Sequence, residues 1–283
     1  MAMNRKDSLS IIEDEKGVWD LVIIGGGASG LGVALDALSR GLKVLLLEKS
    51  DFAKGTSSRS TKLVHGGVRY LAQGEVGLVL EALRERGRLL KNAPHLTINQ
   101  PFVIPLYSFF DRLKYGVGLK IYDWMAGSLR LGKSKFVSRE DTIKRLPQIR
   151  QKGLKGGILY HDGQFDDARL ALVIAKTCIE MGGSILNYAR VNKLSKDETG
   201  KINGVVFRDL IGKKNYKVST KSVVNATGVF ADKILQMDNP EARKMIQPSQ
   251  GIHLVMDNSF LGGDDALMIP ETSDGRVLFA VPW

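Results

Sequence analysis

An α/β architecture that opens on a parallel βαβ unit of the Rossmann type is what this sequence predicts, and three observations carry the expectation. The apolar run Leu21 to Ile24 reads as a strand and delivers directly into Gly25-Gly26-Gly27-Ala28-Ser29-Gly30. A helical pattern from Ser29 to Arg40 follows and stops at Gly41, ahead of a second apolar strand, Lys43 to Leu47. Gly25, Gly27 and Gly30 satisfy G-x-G-x-x-G, and the acidic Glu48 stands 23 positions after the first glycine.

Each position in that fingerprint has a physical job. Gly25 turns the chain off the strand, Gly27 leaves no Cβ in the way of a pyrophosphate, and Gly30 lets the helix pack against the sheet. Unpaired N–H groups and the helix dipole at Ala28 and Ser29 then favour an anion. At the end of the second strand, Glu48 can accept both ribose hydroxyls of an adenosine and repels a 2′-phosphate, so the ligand is FAD or NAD rather than NADP.

The bulk composition narrows the partners. At 283 residues, 43% hydrophobic and 25% charged, the chain has the makeup of a globular protein of one large or two ordinary domains. The uncharged apolar stretch Leu21 to Leu35 is 15 residues with five glycines, too short to span a bilayer. The first 16 residues carry Arg5, Lys6, Asp7, Glu13, Asp14, Glu15 and Lys16 and no apolar core of a signal peptide, so a cytoplasmic location is expected. Cys178 is the sole cysteine and the four histidines (65, 95, 161 and 253) form no metal-ligand pair, which points away from disulfides and metal and towards an organic cofactor. A net charge of +11 suggests an anionic partner. With no nucleic-acid module visible, a phosphorylated substrate or an anionic membrane surface ranks ahead of nucleic acid.

Further along, residues 50–68 form a loop dense in hydroxyls, glycine and cations, and a Leu- and Arg-rich helix runs from Val76 to Asn92 before Pro94. Residues 97–160 read as a different unit, with Pro101 and Pro105 beside an apolar stretch and a basic, aromatic segment from Arg112 to Lys135. Within it, Leu119, Ile121, Tyr122, Trp124, Met125 and Leu129 lie among Lys114, Lys120 and Arg130, a pattern that fits either an amphipathic helix packed on its own domain or one lying on an anionic membrane. A helix from Asp166 to Met181 closes at Gly182-Gly183. Strands at 184–187, 190–195, 204–210, 216–220 and 222–226 then read as a β-meander ending in Asn225-Ala226-Thr227-Gly228.

These motifs together resemble the FAD-dependent glycerol-3-phosphate dehydrogenases, within the wider amino-acid oxidase and sarcosine oxidase superfamily. The resemblance rests on Ile24 to Gly32 with Asp36 and Arg40-Gly41, on the block Thr56 to Leu71, on Asp166 to Leu170, on Asn225 to Gly228 and on Phe279 to Trp283. Leu31 and Gln250 depart from the family pattern, which prefers a small residue at the first and Lys at the second. The implied fold is a Rossmann-like FAD-binding domain, a βαβ unit plus a β-meander, with an inserted α+β substrate domain. The implied boundaries are an extension at 1–18, the FAD-binding domain at 19–96 and 161–235, the insertion at 97–160, and the start of further substrate domain at 236–283. Family members continue past Trp283, so the chain is expected to be the N-terminal part of a longer enzyme, or else a non-catalytic FAD-binding fragment.

The resemblance also implies roles. Gly25, Gly26, Gly27, Ala28, Ser29, Gly30, Glu48 and Lys49 would hold the adenosine and pyrophosphate. Thr56, Ser57, Ser58, Lys62, Leu63, His65, Gly66 and Gly67 would run along the flavin, Arg190 and Val191 would lie near the adenine, and Ala226, Thr227 and Gly228 would complete the site. The implied reaction oxidises sn-glycerol 3-phosphate to dihydroxyacetone phosphate, hydride passing from C2 to flavin N5 and electrons onward to quinone; an oxidase that uses O₂ is the rival. Loss of the hydroxyl proton needs a base, for which His65 and His253 are the candidates. Arg69 has the fork to hold a phosphate, or else forms a structural ion pair, and Tyr70 either bonds the substrate or packs. A peripheral position on the inner face of the cell membrane, and oligomerisation, are further expectations.

Overall fold

The computed structural model describes residues 5–14, 17–72 and 74–283, the side chains of residues 14, 69 and 72 excepted. Its helices are α1 (Arg5–Asp14), α2 (Ala28–Ser39), α3 (Val68–Ala72), α4 (Val76–Asn92), α5 (Phe109–Ala126), α6 (Arg139–Arg145), α7 (Asp167–Glu180) and α8 (Ala231–Asp238). Its strands are β1 (Trp19–Ile24), β2 (Val44–Leu47), β3 (Leu63–Val64), β4 (Thr97–Leu106), β5 (Lys135–Val137), β6 (Gly156–Phe165), β7 (Ser184–Leu186), β8 (Ala189–Lys196), β9 (Ile202–Asp209), β10 (Asn215–Asn225), β11 (Ala266–Ile269) and β12 (Leu278–Ala280). Two units result, one of residues 1–60 and 167–251, the other of 61–166 and 252–283.

The first unit is built on a sheet in the order β7-β2-β1-β10-β9-β8. β7, β2, β1 and β10 run parallel, and β10, β9 and β8 form an antiparallel meander. Side chains that alternate along each strand fill both faces. Val22, Ile24, Leu45 and Leu47 pack with Ile12 of α1, Phe207 of β9 and Ile234 of α8. Ile23, Val44 and Leu46 turn the other way, against Leu31, Ala34 and Ala37 of α2 and Ala171, Ala175 and Cys178 of α7. This burial on both sides explains why β1 and β2 read as continuous apolar runs rather than as alternating ones.

The meander differs from its sequence reading at both ends. Residues 184–186 are not part of it; they pair parallel with β2. The two strands read at 216–220 and 222–226 are the single strand β10, which pairs antiparallel with β9 from Asn215 to Ser219 and parallel with β1 from Thr220 to Asn225. Lys221 interrupts the apolar pattern without interrupting the backbone. Its ammonium reaches Asp20 at 2.6 Å on the surface, so nothing polar has to be buried there.

In the second unit the sheet runs β12-β11-β4-β6-β3, with β5 also on β6. β4 and β6 form its long antiparallel centre, from Thr97 opposite Phe165 to Leu106 opposite Gly156. Phe102, Ile104, Ile158 and Tyr160 face Leu119 of α5, while Val103 and Leu159 face Leu146 beyond α6. Val79 and Leu83 of α4 pack on Tyr122 and Ala126 of α5. This shared core places α4 with the insertion, so the units divide at 60/61 and 166/167 where the sequence placed divisions at 96/97 and 160/161.

Arg86 of α4 is the largest fully buried side chain, 1% exposed, and donates from Nη1 to Asp162 of β6 at 2.7 Å. Arg86→Met leaves the Asp162 carboxylate buried without its counter-ion. That change should cost about 3–5 kcal/mol in urea unfolding. Arg40→Ala, which breaks the exposed Asp36 pair on α2, should leave the midpoint where it was.

Candidate functional site

In the first unit the glycine turn is set by contact distances. At φ +113° Gly25 occupies the left-handed region, and a Cβ there would lie 2.4 Å from the Ala226 carbonyl oxygen. A Cβ on Gly30 would lie 1.9 Å from the Gly25 carbonyl oxygen. Ala226 is drawn in because its N–H donates to the Ile24 carbonyl at 2.9 Å, which continues the β1–β10 ladder. Thus Ala226, Thr227 and Gly228 stand beside the fingerprint, Thr227 held by its hydroxyl donating to Asn225 at 2.7 Å and Gly228 at φ +55°.

Helix α2 begins with Gly27 as N-cap and no capping side chain within its own first turn. Its first internal bond runs from Leu31 N–H to the Gly27 carbonyl at 3.0 Å, so Ala28, Ser29 and Gly30 have no intrahelical acceptor. Ser57, on the one-turn 3₁₀ helix Thr56–Ser58, accepts from the Ala28 N–H at 2.9 Å, and the Cβ that Gly27 lacks would touch that same hydroxyl. The hydroxyl loop is thereby brought over the helix start. Ser60 ends this loop by donating twice to buried Asp167 at the start of α7, from N–H at 3.2 Å and from Oγ at 2.7 Å.

Glu48 is held on both oxygens. Oε2 accepts the Gly26 N–H and Oε1 the Ser50 N–H, each at 2.7 Å. Every carboxylate oxygen has two lone pairs, so this grip fixes the group and leaves it able to accept further hydrogen bonds. The Glu48 carbonyl also accepts the Ala189 N–H at 2.7 Å, which sets Arg190 and Val191 next to it, Val191 buried in the core and Arg190 exposed with its Nε on Asn192. Lys49 turns its ammonium over the Phe230 ring, 3.5 Å from the centroid.

The second unit carries the other predicted residues. Lys62, at φ +59°, lies over the Trp283 ring at 5.0 Å, and Leu63 pairs with Gln164 in β6. Leu63, His65, Gly67 and Tyr70 line a cavity of about 160 Å³. Its remaining wall includes Phe102, Tyr160, Asp162, Met268 and Phe279, and the exposed His65 ring is tilted 37° to Phe279 at 6.5 Å. The structure does not bring His253 to this cavity. That residue is exposed, its Nε2 3.3 Å from the Thr61 hydroxyl. Arg69 falls within α3, but its side chain lies outside the described part.

Sequence reasoning missed the floor of this cavity. Asp162 accepts from Arg86 and from the Tyr122 hydroxyl, 2.9 Å from Oδ1, and Tyr122 in turn accepts the Gly66 N–H at 2.7 Å. Burial pushes the Asp162 carboxyl up, against the opposing pull of the Arg86 guanidinium, and burial beside that carboxylate drives the Tyr122 phenol well above its ordinary range. One signal was available. Val79, Leu83, Arg86 and Leu90 fall on one helical stripe, and a charge on an apolar stripe needs a buried partner. Among the described residues no group of acidic, cysteine or histidine side chains is placed to hold a metal, and no helix is long and apolar enough to cross a membrane.

Known proteins are similar to this chain in sequence and in fold. The chain is 44% identical over 287 residues to "Probable glycerol-3-phosphate dehydrogenase, mitochondrial" from Caenorhabditis elegans, covering 99% of this chain and 40% of that protein. It is 44% identical over 296 residues to "Glycerol-3-phosphate dehydrogenase, mitochondrial" from Schizosaccharomyces pombe, covering 99% and 46%. The crystal structure of the glycerol-3-phosphate dehydrogenase from Bacillus halodurans complexed with FAD matches with a TM-score of 0.73 at 32% identity, over 99% of this chain and 48% of that one. The chain therefore spans less than half the length of each of these three relatives.

The first unit suits FAD on its own chemistry: a helix start where Ser29 and Gly30 have no intrahelical acceptor and Ala28 is met only by the Ser57 hydroxyl, glycines where any Cβ would collide, and a carboxylate with lone pairs left to accept ribose hydroxyls. Gly30→Val should abolish flavin retention by the full-length protein, read as the yellow absorbance remaining after gel filtration, because the side chain must displace the Gly25 carbonyl. Glu48→Gln, which keeps the shape but not the charge, should weaken FAD binding by about 10-fold or more, the worth of one charged hydrogen bond. Residues 20–283 match the family model described as FAD dependent oxidoreductase, and with the geometry above that match makes the chain a member of the FAD-dependent oxidoreductase family.

Proposed function

We propose that this chain supplies the FAD-binding part and a portion of the substrate site of an enzyme that oxidises sn-glycerol 3-phosphate to dihydroxyacetone phosphate and passes the electrons to quinone. The observation that carries the reading is the meeting of His65 and Tyr70 in one small cavity, directly after a hydroxyl loop whose Ser57 caps the dinucleotide helix. The names of the relatives above support the substrate, and the cavity is below the roughly 300–1,000 Å³ of drug-sized sites, which suits a small polyol phosphate.

FAD, when bound, would supply the two-electron acceptor for the substrate hydride. His65 takes the proton of the C2 hydroxyl as the C2 hydride departs, so that alcohol becomes ketone with two electrons and two protons removed. Imidazole is suited to this because a ring nitrogen offers a lone pair to receive the proton. Arg69 offers a planar fork for the substrate phosphate, and Tyr70 a phenol for its oxygens. The amides at 28–30 and the hydroxyls at 56–58 would take the phosphates of the cofactor.

A quinone is a membrane lipid, and α5 presents a surface suited to meet one. Phe109, Phe110, Leu113, Val117, Ile121 and Trp124 are exposed there, Trp124 at 80%, among Arg112, Lys114 and Lys120, while Leu119, Tyr122 and Ala126 turn inward. Of the aromatic and apolar residues in that segment, the inward set makes the domain's core, and the outward set supports a peripheral position on an anionic membrane.

Anaerobic addition of glycerol 3-phosphate to the full-length, FAD-loaded protein should bleach the flavin, and a protein that stays yellow sinks the reading. His65→Gln should slow this reduction by about 10²–10⁴-fold, the usual worth of a positioned base. Re-oxidation should be fast with a soluble quinone and slow with air; stoichiometric peroxide would instead mark an oxidase.

A further inference from the structure

The turn that carries His65 is not held by its own strand alone. β3 ends at Val64, and Gly66 is buried with its N–H directed at the Tyr122 hydroxyl. Tyr122 has one proton to give, and it goes to Asp162, whose carboxylate is held in turn by Arg86. The order of donation is therefore fixed from end to end: Arg86 and Tyr122 donate to Asp162, and Gly66 donates to Tyr122. All three side chains are buried, and they come from three elements, α4, α5 and β6.

We propose that Tyr122 is a positioning residue for the cavity: anchored by Asp162 and Arg86, its hydroxyl holds the His65–Gly66–Gly67 turn through the Gly66 N–H and so sets where the His65 imidazole stands. The inference rests on the reading of His65 as the group that takes the hydroxyl proton.

Two features support the assignment. A buried ion pair gains little stability over apolar side chains of the same size, so its presence beneath a turn asks for a reason other than stability. Here the pair fixes a phenol oxygen, which an apolar cluster cannot do. The identity of Gly66 follows from the same contact. A Cβ there would come within 2.5 Å of both the Tyr122 hydroxyl and Leu83 Cδ2, so the turn can sit on the phenol only if residue 66 has no side chain. Burial meanwhile keeps the Tyr122 phenol protonated far above neutral pH, so the donation to Asp162 is not interrupted by titration.

The experiment compares full-length, FAD-loaded wild type with Tyr122→Phe, Gly66→Ala and, as a control in the same unit, Tyr107→Phe, whose hydroxyl donates to the Arg150 carbonyl. Hydrogen exchange over peptides spanning residues 63–68 is measured beside flavin reduction by glycerol 3-phosphate. The Gly66 amide should be protected in wild type and exchange at least about 10-fold faster in Tyr122→Phe, with the control unchanged. Both Tyr122→Phe and Gly66→Ala should lower kcat by about 10–100-fold with KM within about threefold, the signature of a displaced catalytic group rather than of lost binding. An unprotected Gly66 amide in wild type overturns the proposal without any variant, as does a Tyr122→Phe enzyme with kcat within threefold of wild type. If Tyr122→Phe does not fold, Gly66→Ala and the wild-type exchange decide. If wild type is not reduced by glycerol 3-phosphate, the functional reading fails, and hydrogen exchange alone decides whether the relay holds the turn.

Discussion

Backbone meeting backbone at the carboxyl end of β1 is the constraint from which the nucleotide half of this protein follows. The Ala226 carbonyl and the Gly25 carbonyl occupy the places where side chains of residues 25 and 30 would otherwise stand. That packing seats α2 low against the sheet, with the amides of its first turn at the strand end. The same ladder brings in β10, and through Glu48 it brings in β8. Four stretches far apart in sequence converge because one strand is flanked on both sides by parallel neighbours and its exit turn has no side chains.

The second unit solves its problem by another means. Its cavity is lined by Phe102, Tyr160 and Phe279, which pack against each other at centroid distances of 5.2 and 6.2 Å, and apolar walls of this kind shape a space without aiming anything at it. Direction comes from the charged and hydroxylic groups below. Arg86 and Asp162 are costly to bury separately and tolerable together, and the pairing leaves a single hydroxyl pointing at a single amide.

Much of the first unit was legible because its signals are local. Gly25 to Gly30, Gly41 and Glu48 lie within one βαβ stretch, and each acts through backbone geometry that spacing alone reports. The joining of residues 216–226 into one strand was not legible, since Lys221 looks like a break until Asp20 is seen beside it. Nor was the departure of 184–186 from the meander, which depends on a partner strand more than a hundred residues earlier. In the second unit, His65 and Tyr70 could be named from their block, but Asp162 and Tyr122 could not. Their part depends on contacts at sequence separations of 40 to 76, and only Arg86, a cation on an apolar helical stripe, gave notice of them.

The sole thiol has a practical meaning of its own. Cys178 is packed between α7 and α2 with its pKa pushed up to about 11 by burial, so at neutral pH it offers neither a thiolate nor a path to one. As regards alkylating reagents, this stretch of protein should behave as though it contained no cysteine. A thiol introduced at any exposed position of it, beside the aromatic face of α5 or at the tip of the β8–β9 turn, would be the one reactive handle, and a dye or spin label attached there would report a single site with no native residue removed.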